Sequence, residues 1–171
     1  GATVAANDIA FTLSGPARSI LTVERVVLNF MQRMSGIATM TRKFVDALDG
    51  TGCKVLDTRK TTPGLRALEK WAVRIGGGTN HRHGLYDMVM IKDNHGDMNG
   101  GLPNAIRSAR EYLHALHLNL DVEVETRNLK EVELVLVTGG VKRVMLDNFG
   151  FDELRKAVAL INRRYETEAS G

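Results

Sequence analysis

The 171-residue sequence predicts an α/β fold, an incomplete (β/α) barrel in which parallel strands alternate with helices. Strand-like and helix-like segments follow one another along the chain, which is typical of parallel sheets. The strand-like segments are short and apolar, as strands buried on both faces tend to be. Several of them end in a charged residue, at the edge of the sheet where ligands bind in such folds. The four or five βα units are fewer than the eight of a closed barrel.

The first third of the chain is predicted to hold a short strand, a long helix and a second strand. Ile9–Leu13 is the first candidate strand, and Gly15-Pro16 ends it. From Val23 to about Leu48 apolar residues recur every three or four positions, which predicts one long helix. The turn residues Asp49–Gly52 stop it, and Lys54–Asp57 is the second candidate strand.

The rest of the chain alternates more regularly. A helix is predicted from Pro63 to about Ile75, with Thr62 as its cap, and the loop Gly76–Gly84 follows. The further predicted strands are Tyr86–Lys92, Asn119–Glu125 and Lys142–Asp147, and the further helices are Leu102–Leu116, Leu129–Thr138 and Phe151–Arg164. Residues 168–171 are typical of the start of another strand or loop.

Composition excludes several classes of protein. A net charge of +3 is too small to argue for nucleic acid, and aromatic residues are only 5% of the chain. No apolar stretch approaches the ~18 residues of a membrane span, and the first residues lack the charged and apolar regions of a signal peptide, so we do not expect them to form one. The single cysteine, Cys53, excludes an intrachain disulfide and favours a reducing compartment, so we expect a cytoplasmic protein.

The run Asp57–His95 carries many cationic side chains, which lie beside Gly, Pro, Thr and Asn rather than on an amphipathic helix face. They are Arg59, Lys60, Arg66, His81, Arg82, His83, Lys92 and His95. Gly76–Gly78 would let backbone approach a ligand, and Arg and Lys supply donors for carboxylate or phosphate. Solvated basic turns and a flexible glycine loop are the structural alternatives. The three histidines lack the spacing and the cysteine partners of a zinc site. We therefore favour a pocket for a multiply charged anion.

Carboxylates follow at the ends of the later strands. Glu123 and Glu125 are two residues apart on one strand and so face the same side, and Asp147 ends the next strand. Such carboxylates can hold Mg²⁺, directly or through water, or accept hydrogen bonds from ribose hydroxyls. The structural alternative is that Asp147 or Asn148 caps the helix that follows.

These segments, in this order, resemble the quinolinate phosphoribosyltransferase family. The matching stretches cover almost the whole chain and are GPARSILTVERVVLNFMQRMSGIATMTRKFV, KVLDTRKTTPGLRALEKWAV, GGGTNHRHGLYDMVMIKDNH, DVEVET and VMLDNF. The resemblance implies a Mg²⁺-dependent transferase that condenses quinolinate with phosphoribosyl pyrophosphate. The products would be nicotinate mononucleotide, pyrophosphate and CO₂, in de novo NAD synthesis.

The resemblance also implies roles for individual residues. The dianionic pyridine ring would bind at Thr58, Arg59, His81 and Arg82. Lys60 and Lys92 would lie between it and the phosphoribosyl donor, and Arg25 would serve the neighbouring subunit's site in a homodimer or larger assembly. Glu125 and Asp147 would face the ribose and Mg²⁺. Glu125 is preferred to Glu123 because it is the second glutamate of the matching stretch DVEVET, although the choice between them stays open.

The same resemblance implies how much of the family's protein this chain covers. We expect residues 1–171 to form a partial barrel catalytic domain, without the family's N-terminal sandwich domain and last barrel strands. Ser170 and Gly171 would then begin the first phosphate-binding loop, and activity of this chain alone is doubtful. The alternatives are a non-catalytic module that binds anions or serves assembly, and a related phosphoribosyltransferase that takes another anion.

Overall fold

The computed structural model describes residues 1–171, which divide into two units, Gly1–His83 and Gly84–Gly171. The first unit holds helix α1 (Ala17–Ala47) and helix α2 (Arg66–Ile75). The second unit holds all strands and the remaining helices. That residues 1–171 form one partial barrel domain stays a prediction.

Helix α1 is the dominant element of the first unit. It follows Pro16 and ends at Leu48 before the predicted turn, so the long helix is confirmed, with an earlier start. Thr41 is its only buried residue. The apolar residues that predicted the helix are largely exposed, among them Leu21, Val23, Val26, Val27, Phe30 and Phe44.

Three predictions for the first unit are wrong. Ile9–Leu13 forms no strand. Lys54–Asp57 contributes only a parallel bridge between Leu56 and Thr79, because its partner is a loop rather than a second strand. The helix predicted from Pro63 begins at Arg66, and Thr62 does not cap it: a turn intervenes, in which the Leu65 N–H donates to the Thr62 carbonyl oxygen at 3.0 Å.

The second unit confirms the predicted α/β alternation. Four parallel strands pair in the order β1-β2-β3-β4. They are β1 (Val89–Ile91), β2 (Val122–Thr126), β3 (Arg143–Asp147) and β4 (Glu166–Ser170). The helices of this unit are α3 (Asp93–Met98), α4 (Leu102–Ala115), α5 (Leu129–Thr138) and α6 (Phe151–Ile161). None of the helices of either unit has the length and apolar composition needed to cross a bilayer.

One face of the sheet carries the core. This apolar face is formed by Ile91, Val122, Val124, Val144 and Leu146, which pack with Ile106, Val132, Val135 and Ile161 of the helices. Burial of each such side chain stabilises the fold by about 1.5–3 kcal/mol. Since side chains alternate along a strand, the residues between them point to the opposite face, where the charged side chains of the sheet lie.

Two predicted boundaries in the second unit are wrong for local reasons. The strand predicted over Tyr86–Lys92 covers only Val89–Ile91, because Lys92 is already the N-cap of α3 and its backbone N–H donates to His95 Nδ1 at 3.1 Å. The helix predicted to end at Arg164 ends at Ile161, because Asn162 has φ 46° and cannot continue it.

The structural alternative for the end of β3 is also wrong. Gly150 is the N-cap of α6, so neither Asp147 nor Asn148 caps that helix. The Asn148 side-chain amide instead donates to the Asp147 carboxylate at 2.7 Å. Asp147 is therefore left at the carboxyl end of its strand, as the functional interpretation requires.

Candidate functional site

A buried ion pair organises the loop that carries His81. The carboxylate of Asp57 accepts from Lys70 Nζ, from the Asn80 side-chain amide and from the His81 backbone N–H, the last at 2.8 Å. Lys70 Nζ also donates to the His81 carbonyl oxygen at 3.0 Å. The side chains of Lys70 and Asp57 are only 4% and 7% exposed. The backbone of His81 is thus held on both sides by one charged pair.

A second charged group holds the start of α2 and the preceding loop against α1. Arg33 of α1 donates from Nε and Nη2 to Glu69 Oε1 at 3.0 and 2.6 Å, and from Nη2 to Thr62 Oγ1 at 2.6 Å. The Thr62 N–H donates to Glu69 Oε2 at 3.2 Å. Burial by itself would raise the pKa of Glu69, but the hydrogen bonds from Arg33 and Thr62 outweigh it and lower that pKa.

The cations of the 58–60 loop differ in their exposure. Thr58 and Lys60 are exposed, and the Lys60 N–H donates to Thr58 Oγ1 at 3.0 Å. Arg59 is half-buried, and its Nε is fully buried and makes no hydrogen bond within the protein. A buried guanidinium nitrogen needs an acceptor, so this position suits an anion.

The three glycines of the 76–78 loop lie where a side chain would not fit. A Cβ on Gly76 would lie 2.5 Å from the Ala38 carbonyl oxygen, and one on Gly78 would lie 2.8 Å from Thr41 Cγ2, both in α1. Gly77, with φ 91°, would place a Cβ 2.6 Å from an Arg42 nitrogen. The three glycines therefore allow the loop to pack closely on α1. Sequence reasoning missed this because the partner helix is distant in sequence.

In the second unit the charged residues of the sheet, together with Ser170, form what we call the charged face. Its members are Glu123, Glu125, Arg143, Asp147, Glu166, Glu168 and Ser170. Register places Glu123, Arg143 and Glu166 side by side in one row, and Glu125 and Glu168 in the row nearer the carboxyl ends of the strands. Asp147 and Ser170 pair beyond them, at the end of the sheet.

Lys92 and Glu125 lie together at the carboxyl ends of adjacent strands. Lys92 Nζ is 3.5 Å from Glu125 Oε2, and the Lys92 side chain is 48% exposed. Asp147 is a diagonal neighbour of Glu125, two positions beyond its cross-strand partner Met145. Side chains at diagonal positions can contact a common ligand. The predicted residues of these three strands are thus brought to one end of the sheet.

Arg143 was missed by sequence reasoning. It is 3.6 Å from Glu123 Oε2, 3.2 Å from Glu168 Oε2 and 2.9 Å from Glu166 Oε2. Burial alone would lower the pKa of Arg143, but these carboxylates outweigh it and raise that pKa. The alternation in KRVMLD puts Arg143 on the same side as Met145 and Asp147, and this was the signal available in the sequence.

Arg127 ties the loop after β2 to two helices. It donates to Glu131 Oε1 of α5 at 2.7 Å and to both carboxylate oxygens of Asp97 of α3 at 3.2 Å. The hydrogen bonds with Glu131, then with Asp97, raise the pKa of Arg127. Arg127 follows directly on the strand of Glu125, and α3 follows directly on Lys92. This charged group therefore links the two segments that carry them.

Arg25 lies apart from these groups. It is exposed on the amino-terminal half of α1. Ser170 and Gly171 are exposed at the end of β4, where the Asn148 N–H donates to the Ser170 carbonyl oxygen at 2.7 Å. Each predicted site residue thus lies on a loop or at a strand end, except Arg25.

Known proteins resemble this chain in sequence and in fold. Residues 37–171 match the C-terminal domain of quinolinate phosphoribosyl transferase, and residues 1–35 match its N-terminal domain. The chain is 54% identical to the chloroplastic nicotinate-nucleotide pyrophosphorylase (carboxylating) of Arabidopsis thaliana, over 93% of this chain and 49% of that protein. It is 48% identical to a probable nicotinate-nucleotide pyrophosphorylase (carboxylating) of Bacillus subtilis, over 96% of this chain and 55% of that protein.

Solved structures agree with the sequence comparisons. NadC from Streptococcus pyogenes superposes with a TM-score of 0.85 at 48% identity, over 92% of this chain and 54% of that one. The nicotinate-nucleotide pyrophosphorylase of Ehrlichia chaffeensis superposes with a TM-score of 0.82 at 45% identity, over 89% and 54%. The chain therefore spans about half the length of the relatives that it matches.

Proposed function

Because the chain belongs to the quinolinate phosphoribosyltransferase family, we propose that its protein condenses quinolinate with phosphoribosyl pyrophosphate to give nicotinate mononucleotide, pyrophosphate and CO₂. Within the chain, the observation that carries this proposal is the buried Nε of Arg59, which makes no hydrogen bond within the protein. Its position on a loop of cations suits a carboxylate of a dianionic ring, which would supply the acceptor.

The cationic loops would bind and orient the ring. Arg59, His81 and Arg82 would face the two carboxylates of quinolinate, with Thr58 in the same loop. The buried pair of Asp57 and Lys70 supports this role, because it fixes the backbone of His81 without using its side chain. A binding site held by such internal contacts loses little entropy when the ligand arrives.

Lys60 and Lys92 would bridge quinolinate and the phosphoribosyl donor. An ammonium group suits this place because it is a compact charge with three donors that can contact two anions at once. Lys92 already lies 3.5 Å from Glu125, so the same lysine would link the anionic substrates to the carboxylates of the sheet. Catalysis would come from positioning and electrostatics rather than from a general acid or base.

Glu125 and Asp147 would face the ribose and Mg²⁺. Their fit to the metal is supported by the chemistry of the donors, since hard cations prefer carboxylate oxygens and these two lie on adjacent strand ends. The ion would neutralise the charge of the pyrophosphate group. The carboxylates themselves would stabilise positive charge that develops on the ribose ring, and Ser170 and Gly171 would begin the phosphate loop.

We further propose a homodimer or larger assembly, in which Arg25 serves the neighbouring subunit's site. The exposed apolar residues of α1 around Arg25 support this, because monomeric proteins seldom expose so many on one helix. A cytoplasmic location is proposed from the single cysteine alone. A relative in Nicotiana tabacum is named mitochondrial, and the Arabidopsis one chloroplastic.

The test is Lys92→Ala in the protein expressed from its complete coding sequence, with Lys156→Ala on the exposed surface of α6 as the matched control. We expect Lys92→Ala to abolish formation of nicotinate mononucleotide and to leave circular dichroism and melting unchanged, while the control keeps wild-type turnover. Wild-type turnover in Lys92→Ala would refute its role. If the wild-type protein binds a different ring acid but not quinolinate, it is another phosphoribosyltransferase. If it binds phosphate and releases no pyrophosphate, it is a non-catalytic module.

A further inference from the structure

We propose that Arg66 is a positioning residue: it sets the spacing between the two cationic loops of the first unit and does not itself bind substrate. The inference rests on the proposed function, since this spacing matters for catalysis only if the loops hold quinolinate. Arg66 belongs to the cationic run of the sequence, yet none of the proposed substrate contacts uses it.

The guanidinium of Arg66 joins the two loops with all of its nitrogens. Its Nε donates to Thr61 Oγ1 at 3.2 Å, and Nη2 donates to the Arg59 carbonyl oxygen at 3.3 Å. Its Nη1 donates to the His83 carbonyl oxygen at 3.1 Å. Two of these acceptors lie in the loop of Arg59 and Lys60, and the third directly follows Arg82.

The position of Arg66 in the helix supports this role. It is the first residue of α2, where a cation is disfavoured by the helix dipole by about 0.3–1 kcal/mol. Its presence there is therefore explained by the loop contacts rather than by helix stability. Three of the five N–H donors of this half-buried guanidinium are used by protein acceptors, with at least one on each of its nitrogens.

Arginine and lysine differ in the property that this role requires. The guanidinium is a rigid planar fork, so its nitrogens hold acceptors at fixed separations, whereas the lysine ammonium is a single point. Arg66→Lys keeps the positive charge that attracts the anion but cannot contact both loops in the same geometry. A residue that acted through charge alone would tolerate this substitution.

The kinetic experiment compares Arg66→Lys with Arg74→Lys in the protein expressed from its complete coding sequence. Arg74 is exposed in the last turn of the same helix. We expect kcat/KM for quinolinate to fall about 10–100-fold in Arg66→Lys, with kcat reduced as well as KM raised, because small displacements of reacting groups have effects of this order. Arg74→Lys should match the wild type. An active wild type with unchanged kinetics in Arg66→Lys overturns the inference.

Monocarboxylate analogues separate positioning from direct binding. Inhibition by pyridine-2-carboxylate and by pyridine-3-carboxylate is measured for wild type and Arg66→Lys. Because both loops shift, we expect both analogues to lose affinity by a similar factor. If one analogue binds both proteins equally well, Arg66 contacts the carboxylate that this analogue lacks, and the positioning role is refuted.

Amide hydrogen exchange tests the geometry without using activity. Exchange in segments 58–62 and 80–83 should be faster in Arg66→Lys than in wild type and unchanged in Arg74→Lys, with equal melting temperatures as the control for folding. Unchanged exchange in Arg66→Lys would overturn the inference. A wild-type protein that neither binds nor converts quinolinate would instead overturn the proposed function, and faster exchange would then still establish the link between the loops.

Discussion

The substitution Asp57→Asn is expected to destabilise the first unit strongly. Asp57 Oδ1 accepts from Lys70 Nζ and the His81 N–H, and Oδ2 accepts from Asn80 Nδ2. Asparagine has nearly the same shape but replaces one acceptor oxygen by an NH₂ donor. In either orientation of the amide, that donor faces another donor.

The size of the expected loss of stability follows from the burial of the ion pair between Lys70 and Asp57. With side chains 4% and 7% exposed, Lys70 and Asp57 are shielded from water, and Asp57→Asn leaves a buried ammonium without its counter-charge. Loss of one partner of a buried ion pair costs about 3–5 kcal/mol. The matched control is Asp46→Asn. The Asp46 side chain is 66% exposed and its carboxylate lies 3.4 Å from Arg42, so this substitution should lower the free energy of unfolding by at most about 0.5 kcal/mol.

The assay is urea unfolding followed by circular dichroism, with both variants compared with wild type. We also expect Asp57→Asn/Lys70→Met to lose less stability than the sum of the single variants, because the unpaired ammonium is then absent. A loss below about 1 kcal/mol in Asp57→Asn, or full additivity in the double variant, would refute the view that this pair is a buried, coupled unit.

Further predictions concern the other groups of the first unit and the assembly. Glu69→Gln should lower stability at pH 7 by about 1 kcal/mol. The pKa of Glu69 is lowered from 4.5 in the folded state, so the stability difference between wild type and Glu69→Gln should vanish as the pH falls below 4.5 through that lowered pKa. Thermal melting of both proteins from pH 7 to 3 measures this difference. A difference that stays constant with pH would contradict the ion pair of Glu69 with Arg33 as its source. Mixing inactive Arg25→Ala and Lys92→Ala proteins should restore about a quarter of wild-type activity if each site of a two-fold dimer takes Arg25 from the neighbouring subunit. Half of the dimers are then heterodimers, and one of the two sites in each is intact. No recovery after subunit exchange would argue against shared sites. Gly76→Ala should cost about 1–3 kcal/mol, because its Cβ would lie 2.5 Å from a carbonyl oxygen of α1. The control is Gly36→Ala in α1, where an added Cβ would have no atom within 4 Å, and it should stabilise the protein by about 0.5–1 kcal/mol. Equal midpoints of urea unfolding for Gly76→Ala and Gly36→Ala would exclude the close packing of the glycine loop on α1.

The second unit was predicted more closely than the first because local sequence signals mark where several of its elements begin and end. Leu129–Thr138 was predicted to the residue, since Asn128 caps that helix and Gly139 ends it. Lys54–Asp57 has the composition of a strand, but a strand also requires a partner of matching length. The only partner that it finds is Thr79, in a loop. Nothing within a window of ten residues could indicate this.

The same limit applies to the site. The cationic loops were recognised from their composition, but their internal division was not. Arg66 and Arg59 are both arginines and lie seven residues apart, yet Arg66 donates to protein carbonyls while the Nε of Arg59 makes no hydrogen bond. Which cations serve the protein and which are available to a ligand depends on contacts between loops, and single-sequence patterns do not contain these.

The choice between Glu123 and Glu125 shows how register adds what the sequence lacked. Both glutamates lie on the charged face, but Glu123 is fully buried in the row of Arg143, whereas Glu125 is 3.5 Å from the half-exposed Lys92. A carboxylate already beside a half-buried guanidinium stabilises the sheet, and one at the carboxyl end of its strand can contact substrate. This division supports the proposal that Glu125 is the partner of ribose and Mg²⁺ and that Glu123 is a counter-charge for Arg143. The two residues share one strand and one face, so the proposed difference in their roles rests on their neighbours on adjacent strands.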